Sequence, residues 1–123
     1  MKIVIPADTN STNSEVCQSF GRTPLYAVYN TETCNTDFIE NAAAQSAGGA
    51  GIKAAQMIVD SGAVAVITYR CGENAANVLK PAGIKLYLAQ SGTIAQNIKL
   101  FIEGKLTLLT DIHAGFHSRG GNL

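Results

Sequence analysis

Three short apolar runs, each followed directly by a polar or reactive cluster, constrain the fold of this chain more than any other feature. The runs occupy residues 3–5, 64–67 and 84–88, and the clusters occupy residues 6–8, 68–72 and 90–93. If the runs are parallel strands, the clusters meet at one sheet edge, where ligands of open α/β sheets bind. That edge would carry a thiol, an arginine, free N–H groups of a helix start and a carboxylate. These groups are better suited to binding an anionic, thiol-seeking ligand than to catalysing the making or breaking of bonds.

The spacing of apolar and turn residues predicts the element order β-β-β-α-β-α-β-α. Strands at residues 25–29 and 36–40 are separated by a short turn, so they must pair in antiparallel fashion. The later strands are joined through helices, and such crossovers require parallel strands with right-handed connections. We therefore predict an α/β fold with a mixed five-stranded sheet and helices on both faces. The first strand and the strand at residues 63–68 would be central neighbours.

Two of the predicted helices have distinct sequence signals. Thr93 followed by Gln96 matches a capping box and predicts a helix start. Apolar residues recur at helical spacing and predict the buried faces. These are Ile52, Ala55, Ile58 and Val59 in the first helix, and Ile94, Ile98, Phe101 and Ile102 in the third. Residues 106–109 are a candidate for one more short strand.

The composition predicts one domain and excludes several classes of partner. A chain of 123 residues with 46% hydrophobic content can build a single core, which we assign to residues 1–110, followed by a glycine- and histidine-bearing tail at residues 111–123. The formal net charge is +0, so no basic field is present to attract nucleic acid. No apolar run approaches membrane-spanning length or resembles a secretory signal, which predicts a cytoplasmic protein. The oligomeric state is not indicated.

The three cysteines differ in what their surroundings predict. Cys17, Cys34 and Cys71 are widely spaced and form no Cys-x-x-Cys pair, which argues against a disulfide framework or a self-contained zinc site. Cys71 lies between Arg70 and a helix start, and both favour the thiolate, so we predict the lowest thiol pKa there. The alternative is a small buried residue in a tight turn. Cys17 is a weaker candidate ligand that could face the core, and Cys34 belongs to the hairpin turn.

Other candidate ligand-binding residues are arginines, a helix-start loop and two histidines. Arg22 and Arg70 could pair with an anion through their planar forks of donors, although a surface salt bridge is the plainer interpretation of Arg22. Residues 90–93 predict an anion site at Ser91, Gly92 and Thr93, with ordinary capping as the alternative. The glycine run at 48–51 lacks the lysine and hydroxyl of a P-loop and is a weak phosphate signal.

His113 and His117 are spaced four residues apart, as metal ligands on a helix can be, but the neighbouring glycines argue against a helix. A tail that donates one imidazole to a bound cluster is one interpretation, and a solvated tail is the other. Signals for catalysis are absent from the sequence. No Gly-x-Ser-x-Gly elbow occurs, and Asp8 and Glu73 are too few carboxylates for a two-metal nuclease. We therefore predict that the chain is not an enzyme.

Several motifs in order resemble the dinitrogenase iron–molybdenum cofactor biosynthesis family, the small domains similar to NifX and to the C-terminal part of NifB. The motifs are Phe20-Gly21-Arg22-Thr23-Pro24, Gly49-Ala50-Gly51-Ile52, Ala54-Ala55-Gln56, Ala82-Gly83-Ile84-Lys85 and Ser91-Gly92-Thr93. The resemblance spans roughly residues 1–106. It implies a ribonuclease H-like fold and the binding or carrying of iron–sulfur or iron–molybdenum cluster precursors without catalysis. It carries site roles over to Arg22, the Cys71 loop and the Ser91–Thr93 motif, and more weakly to His113 and His117.

The leading hypothesis is therefore a metallocluster-binding or carrier protein with an exchangeable iron–sulfur or iron–molybdenum cluster and with cluster donor and acceptor proteins as partners. The predicted cluster ligands are Cys71, Cys17, His113 and His117, with Arg22, Arg70 and residues 91–93 supplying positive potential. Few ligands would give weak, exchangeable binding. One alternative is a module that binds a phosphate-bearing small molecule at the same edge. Another is a regulatory or partner domain without a ligand.

Overall fold

The computed structural model describes residues 1–109, which form five strands and three helices. The strands are β1 (Lys2–Ala7), β2 (Leu25–Asn30), β3 (Asn35–Glu40), β4 (Ala65–Thr68) and β5 (Lys85–Leu88). The helices are α1 (Ala50–Asp60), α2 (Glu73–Leu79) and α3 (Ile94–Ile102). Along the chain the order is β1-β2-β3-α1-β4-α2-β5-α3. The predicted mixed five-stranded sheet with helices is confirmed. Histidines 113 and 117 and the predicted tail lie outside the described residues.

The sheet has the strand order β3-β2-β1-β4-β5, with β1 at its centre. β1 pairs with β2 in antiparallel fashion and with β4 in parallel fashion, so the predicted central neighbours are confirmed. β3 is antiparallel to β2 and therefore runs in the same direction as β1. β4 and β5 are parallel. Four strands, β1, β3, β4 and β5, consequently end at the same edge of the sheet.

The segment after α3 covers the outer edge of β5. Leu108 bridges Tyr87 in antiparallel fashion, and the N–H of Leu88 donates to the Thr107 carbonyl at 2.9 Å. The N–H of Leu109 donates to the Leu86 carbonyl at 2.8 Å. The candidate strand at residues 106–109 is thus a short bridged segment. It gives the backbone groups of β5 partners that an uncovered edge strand lacks.

Two apolar clusters, one on each face of the sheet, form the core. One cluster joins α1 and α2 to side chains that include Val4, Val66 and Leu86. The other joins α3 to side chains that include Ile3 and Ile67. Neighbouring residues of β1 and β4 thus enter opposite clusters, which explains why both strands read as continuous apolar runs.

The buried faces of two helices differ from the predicted stripes. Ile52 is 44% exposed and Ile102 is 58% exposed, although both were placed on buried faces. The buried residues are Ala50, Ala54, Ala55 and Ile58 in α1, and Ile94, Asn97 and Ile98 in α3. The face of α1 is displaced because the helix packs against α2 as well as the sheet, through alanines of both helices. No helix within residues 1–109 is long and apolar enough to cross a membrane.

The capping box that begins α3 is present and predicts the effect of one substitution. The Gln96 N–H donates to Thr93 Oγ1 at 3.1 Å, and the Thr93 N–H donates to Gln96 Oε1 at 2.8 Å. Thr93→Ala removes the acceptor, and we expect the free energy of unfolding to fall by about 1 kcal/mol in urea denaturation. Thr107→Ala is the control, because the exposed Thr107 side chain bonds to nothing within residues 1–109. An equal loss in both variants would contradict the prediction.

Candidate functional site

A pocket of about 970 Å³ lies at the sheet edge where β1, β3 and β4 end. Three chain segments form its walls: the approach to β2, the start of α1, and the connection from β4 into α2. The lining residues are 18–22, 48–52, 70 and 72–75. The pocket therefore brings together Arg22 and Arg70, two of the predicted site residues that lie far apart in the sequence.

The start of α1 presents unbonded donors to this pocket. Gly49 is the N-cap residue with φ 69°, a left-handed conformation that glycine adopts without strain, and no side chain caps the helix. No acceptor within residues 1–109 bonds the N–H groups of Ala50, Gly51 and Ile52. An eleven-residue helix also places partial positive charge at this end. This wall therefore favours an anion.

The two arginines use their donors differently. Both side chains are exposed and line the pocket. Arg22 Nη1 donates to the carbonyls of Ala44 and Ser46, each at 3.0 Å, which leaves Nη2 and Nε for another acceptor. The Arg70 guanidinium has no hydrogen-bond or ion-pair partner among residues 1–109. Within the part of the lining formed by residues 1–109, Glu73 is the only acidic residue, so positive charge dominates there.

Two glycines allow the walls of the pocket to touch. A Cβ atom on Gly21 would lie 3.0 Å from the backbone N and Cα of Gly51. Real Cβ atoms rarely come so close, so a side chain at residue 21 would push its segment away from α1. A Cβ atom on Gly51 would lie 3.6 Å from Ala75 Cβ, which places α2 directly behind α1. The shape of the pocket depends on this close approach.

Cys71 is buried beside the pocket instead of lining it. Cys71 is 1% exposed and belongs to the apolar cluster under α1 and α2. Its neighbours Arg70 and Gly72 line the pocket. Burial raises the pKa of Cys71 to about 11, and the charge of Lys80 opposes this only in part. The predicted low pKa is wrong, because loss of hydration at the strand end outweighs the helix start. Ligation of a cluster by this sulfur stays a prediction.

The other thiols and the histidines are not part of the pocket lining. Cys17 is 8% exposed, and burial is the main cause that raises its pKa, with the Thr23 side chain opposing it. Cys34 is exposed in the turn between β2 and β3, at the opposite end of the sheet. Within residues 1–109, no three His, Cys, Asp or Glu side chains come together as a metal site. His113 and His117 lie outside the described residues.

The predicted anion loop at Ser91, Gly92 and Thr93 does not line the pocket, and the helix start behind it is already bonded. The Ile94 N–H donates to the Ser14 carbonyl at 2.9 Å, and the Ala95 N–H donates to the Thr12 carbonyl at 3.0 Å. The third N–H is taken by the capping box. The loop after β1 therefore closes this helix start, a long-range contact that the local sequence does not show. Binding by residues 91–93 stays a prediction.

Sequence reasoning underweighted the residues that form most of the lining. The glycine run at 48–51 is a weak phosphate motif because it follows no parallel strand directly, yet it forms one wall. Residues 18–21 and 72–75 were not predicted as site residues. One signal was available: α1 begins after glycines without a capping side chain, whereas α3 begins with a complete capping box. A helix start left open is the sequence feature that marks this site.

Comparison with known proteins identifies the family. A sequence model described as "Dinitrogenase iron-molybdenum cofactor" matches residues 1–104. The chain belongs to this family. Membership associates it with iron–molybdenum cofactor biosynthesis, as the sequence resemblance implied. An uncharacterised protein of Methanocaldococcus jannaschii is 37% identical over 109 residues, which cover 86% of this chain and 89% of the relative.

Solved structures share the fold over most of the chain. The apo form of the orange protein from Desulfovibrio gigas matches with a TM-score of 0.84 at 29% identity, covering 89% of this chain and 92% of that chain. A candidate NifB protein from Thermotoga, solved by NMR, matches with a TM-score of 0.80 at 33% identity, covering 93% and 97%. The fold of this family member is therefore shared with both of these proteins.

The burial of the thiols in this family member predicts their reactivity. With Ellman's reagent at pH 8, we expect one fast thiol, Cys34, and two slow thiols, Cys17 and Cys71, because only Cys34 is exposed. All three should react quickly in denaturant. Cys34→Ser should remove the fast phase. A fast phase that survives this substitution would show that one of the other two sulfurs is accessible.

The raised pKa of Cys71 predicts how stability changes with pH. An unfolded cysteine loses its proton near pH 8.5, whereas the folded thiol holds it up to about pH 11. The stabilisation from the protonated thiol is therefore complete below pH 8.5 and is lost as the pH rises through 11. We expect the stability difference between wild type and Cys71→Ala to shrink by roughly 3 kcal/mol from pH 8 to pH 11. Ile58→Ala is the control, because it shortens a buried side chain of the same apolar cluster that does not titrate. A constant difference across this range would contradict burial of the thiol.

Proposed function

We propose that the chain binds an anionic iron–sulfur or iron–molybdenum type cluster precursor as cargo, in the pocket between Arg22, Arg70 and the start of α1. The chain holds the cargo without acting on it chemically. Family membership associates the chain with iron–molybdenum cofactor biosynthesis. The observation that carries the proposal is that two arginines and an uncapped helix start line a single pocket. All three favour a ligand with negative charge.

The cargo is held chiefly by charge and N–H donation. Metal–sulfide clusters with sulfide on their surface are anionic and accept hydrogen bonds from backbone amides and guanidinium groups. The free groups of Arg70, the two free nitrogens of Arg22 and the α1 amides supply such donors. Because Cys71 and Cys17 are buried with raised pKa values, a thiolate bond to either would require movement of the chain. Their predicted ligation, and that of His113 and His117, is an additional part of the proposal.

Capture by charge leaves the cargo exchangeable, which a carrier requires. We therefore also propose cluster donor and acceptor proteins as partners. Two further expectations from the sequence, a cytoplasmic location and a ribonuclease H-like classification of the fold, are part of the proposal. Within residues 1–109, the absence of a converging group of metal ligands is compatible with a cargo that arrives already assembled. Ile52 lines the pocket and is 44% exposed, so a partner that delivers the cargo can contact it.

A phosphate-bearing small molecule is the second candidate ligand. The same donors bind phosphate, and the burial of Cys17 and Cys71 removes the thiol preference that would favour a cluster. The two candidates differ in one respect that can be measured. Inorganic phosphate competes readily with a phosphate-bearing molecule for the pocket, whereas it displaces a larger polyanionic cluster only weakly.

The deciding experiment is anaerobic reconstitution with iron and sulfide, with and without molybdate, followed by desalting, absorption spectroscopy and metal analysis. We expect retained colour and metal in the wild-type chain. Arg70→Ala should lower retention about tenfold, because it removes charge-assisted donors that no other described residue uses. Retention should also fall as the salt concentration rises.

Lys99→Ala is the matched control, since it removes an equal charge from the exposed face of α3, on the other side of the sheet. Equal retention in Arg70→Ala and wild type would rule out the pocket as the site. If Cys71→Ala abolishes retention while Arg70→Ala does not, thiolate ligation replaces the electrostatic mode. A colourless, metal-free wild type that binds inorganic phosphate would favour the second candidate.

A further inference from the structure

The pocket is held together by side chains that bind backbone carbonyls across two of its chain segments. One segment, residues 19–24, connects to β2, and the other, residues 41–49, leads from β3 to the start of α1. We propose that Asn41 is the positioning residue of this pocket. It acts through the two segments that it ties together, and this inference rests on the proposed function of the pocket.

All hydrogen bonds of the Asn41 side-chain amide are made to these two segments. The residue is 5% exposed, and its Nδ2 donates to the carbonyls of Gly21 at 2.9 Å and Thr23 at 3.0 Å. Its Oδ1 accepts from the Ala43 N–H at 3.0 Å. Its backbone N–H donates to the Pro24 carbonyl at 3.0 Å. Asn41 thereby fixes Gly21, the residue that touches Gly51 of α1, relative to the chain that leads into α1.

Arg22 binds the same two segments from the opposite direction. Its Nη1 donates from the first segment to the carbonyls of Ala44 and Ser46 in the second. The Lys53 ammonium group, in the first turns of α1, donates to Ser46 Oγ at 2.8 Å. The Arg22 contacts are exposed, whereas those of Asn41 are buried or, for the bond to Gly21, partly buried. The buried amide therefore determines where the loop sits, and the Arg22 guanidinium is directed by the loop that it binds.

Loss of the Asn41 amide would affect affinity more than an ordinary buried hydrogen bond would. Two carbonyls would lose their donor, and the segments that carry them would move apart or take up water. The pocket donors on α1 would then no longer face Arg22 and Arg70 at a fixed separation. Since a site binds tightly when its donors are held in place beforehand, affinity falls even though every donor is still present.

Asn97 provides an unusually close control elsewhere in the chain. It is 0% exposed, its Nδ2 donates to the carbonyls of Gln90 and Thr93 at 3.0 Å each, and its Oδ1 accepts from the Gln90 N–H at 2.8 Å. Like Asn41 it has two donations and one acceptance, all to backbone groups. It lies in α3, on the other face of the sheet, and no bond of its amide reaches the pocket lining.

The test measures the affinity for tetrathiomolybdate, a coloured molybdenum–sulfide dianion, in wild type, Asn41→Ala and Asn97→Ala. Urea unfolding is measured in parallel. We expect both substitutions to lower stability, but only Asn41→Ala to lower affinity, by about tenfold. Asn97→Ala should stay within about twofold of wild type. Asn41→Ser and Asn97→Ser, which keep a small hydroxyl, replace any alanine variant that does not fold.

Two outcomes overturn the inference while leaving the proposed function intact. One is unchanged affinity in Asn41→Ala, and the other is an equal affinity loss in both variants, which would indicate a general effect of stability. A wild-type chain that fails to bind the probe overturns the proposed function, and the inference falls with it. These results are distinguishable because the first two require binding by wild type.

A measurement on the wild-type chain needs no variant. In an NMR titration with tetrathiomolybdate, the side-chain amide signals of Asn41 should shift and saturate together with the backbone amides of Gly49–Ile52. The side-chain signals of Asn97 should not move. Pocket amides that shift while Asn41 stays unchanged would show that the amide does not respond to the ligand, which contradicts the proposed role.

Discussion

The parallel pairing of β1 with β4 is the constraint on which the pocket depends. β1 lies at the centre of the sheet, and it faces an antiparallel partner on one side and a parallel partner on the other. Because β3 also runs in the direction of β1, the chain leaves β1, β3 and β4 at one edge. Each of the three exits contributes one wall: residues 18–22, residues 48–52, and residue 70 together with residues 72–75. If β4 were antiparallel to β1, Arg70 would lie at the far end of the molecule from Arg22.

Hydration decides which groups at this edge meet a ligand. Charged guanidinium groups stay exposed because burying them without a partner costs far more than an interior contact returns. A cysteine behaves as a small apolar residue, so Cys71 enters the cluster beneath α1 and α2 while its two neighbours remain at the surface. Cys71 therefore belongs to the core, whereas its neighbours Arg70 and Gly72 belong to the pocket. The positive potential is therefore presented without an accessible thiol.

Much of this arrangement could be predicted from the sequence, and the rest depends on long-range contacts. Apolar periodicity and turn spacing predict the five strands and the central pairing, and Thr93 with Gln96 predicts the capping box. These signals can be read from short stretches of the sequence. The predicted topology placed Arg70 at this edge, whereas Arg22 was predicted as a site residue from the family resemblance. Local signals could not show that Thr12 and Ser14 close the start of α3, that Cys71 is buried, or that Gly21 rests on Gly51. Each of these depends on segments that are distant in the sequence.

The contrast between the two longer helices supports the view that the open start of α1 serves binding. A glycine N-cap makes a helix only a few tenths of a kcal/mol less stable than a side-chain cap, but it leaves the first N–H groups without the acceptor that this chain supplies at α3. There, Thr93 and Gln96 form a complete box and a loop covers the remaining donors. At α1 the N-cap is a glycine without a side chain, and the donors face a pocket lined by two arginines. An anion that arrives at α1 would provide the missing acceptors, so binding and completion of the helix end would be the same event.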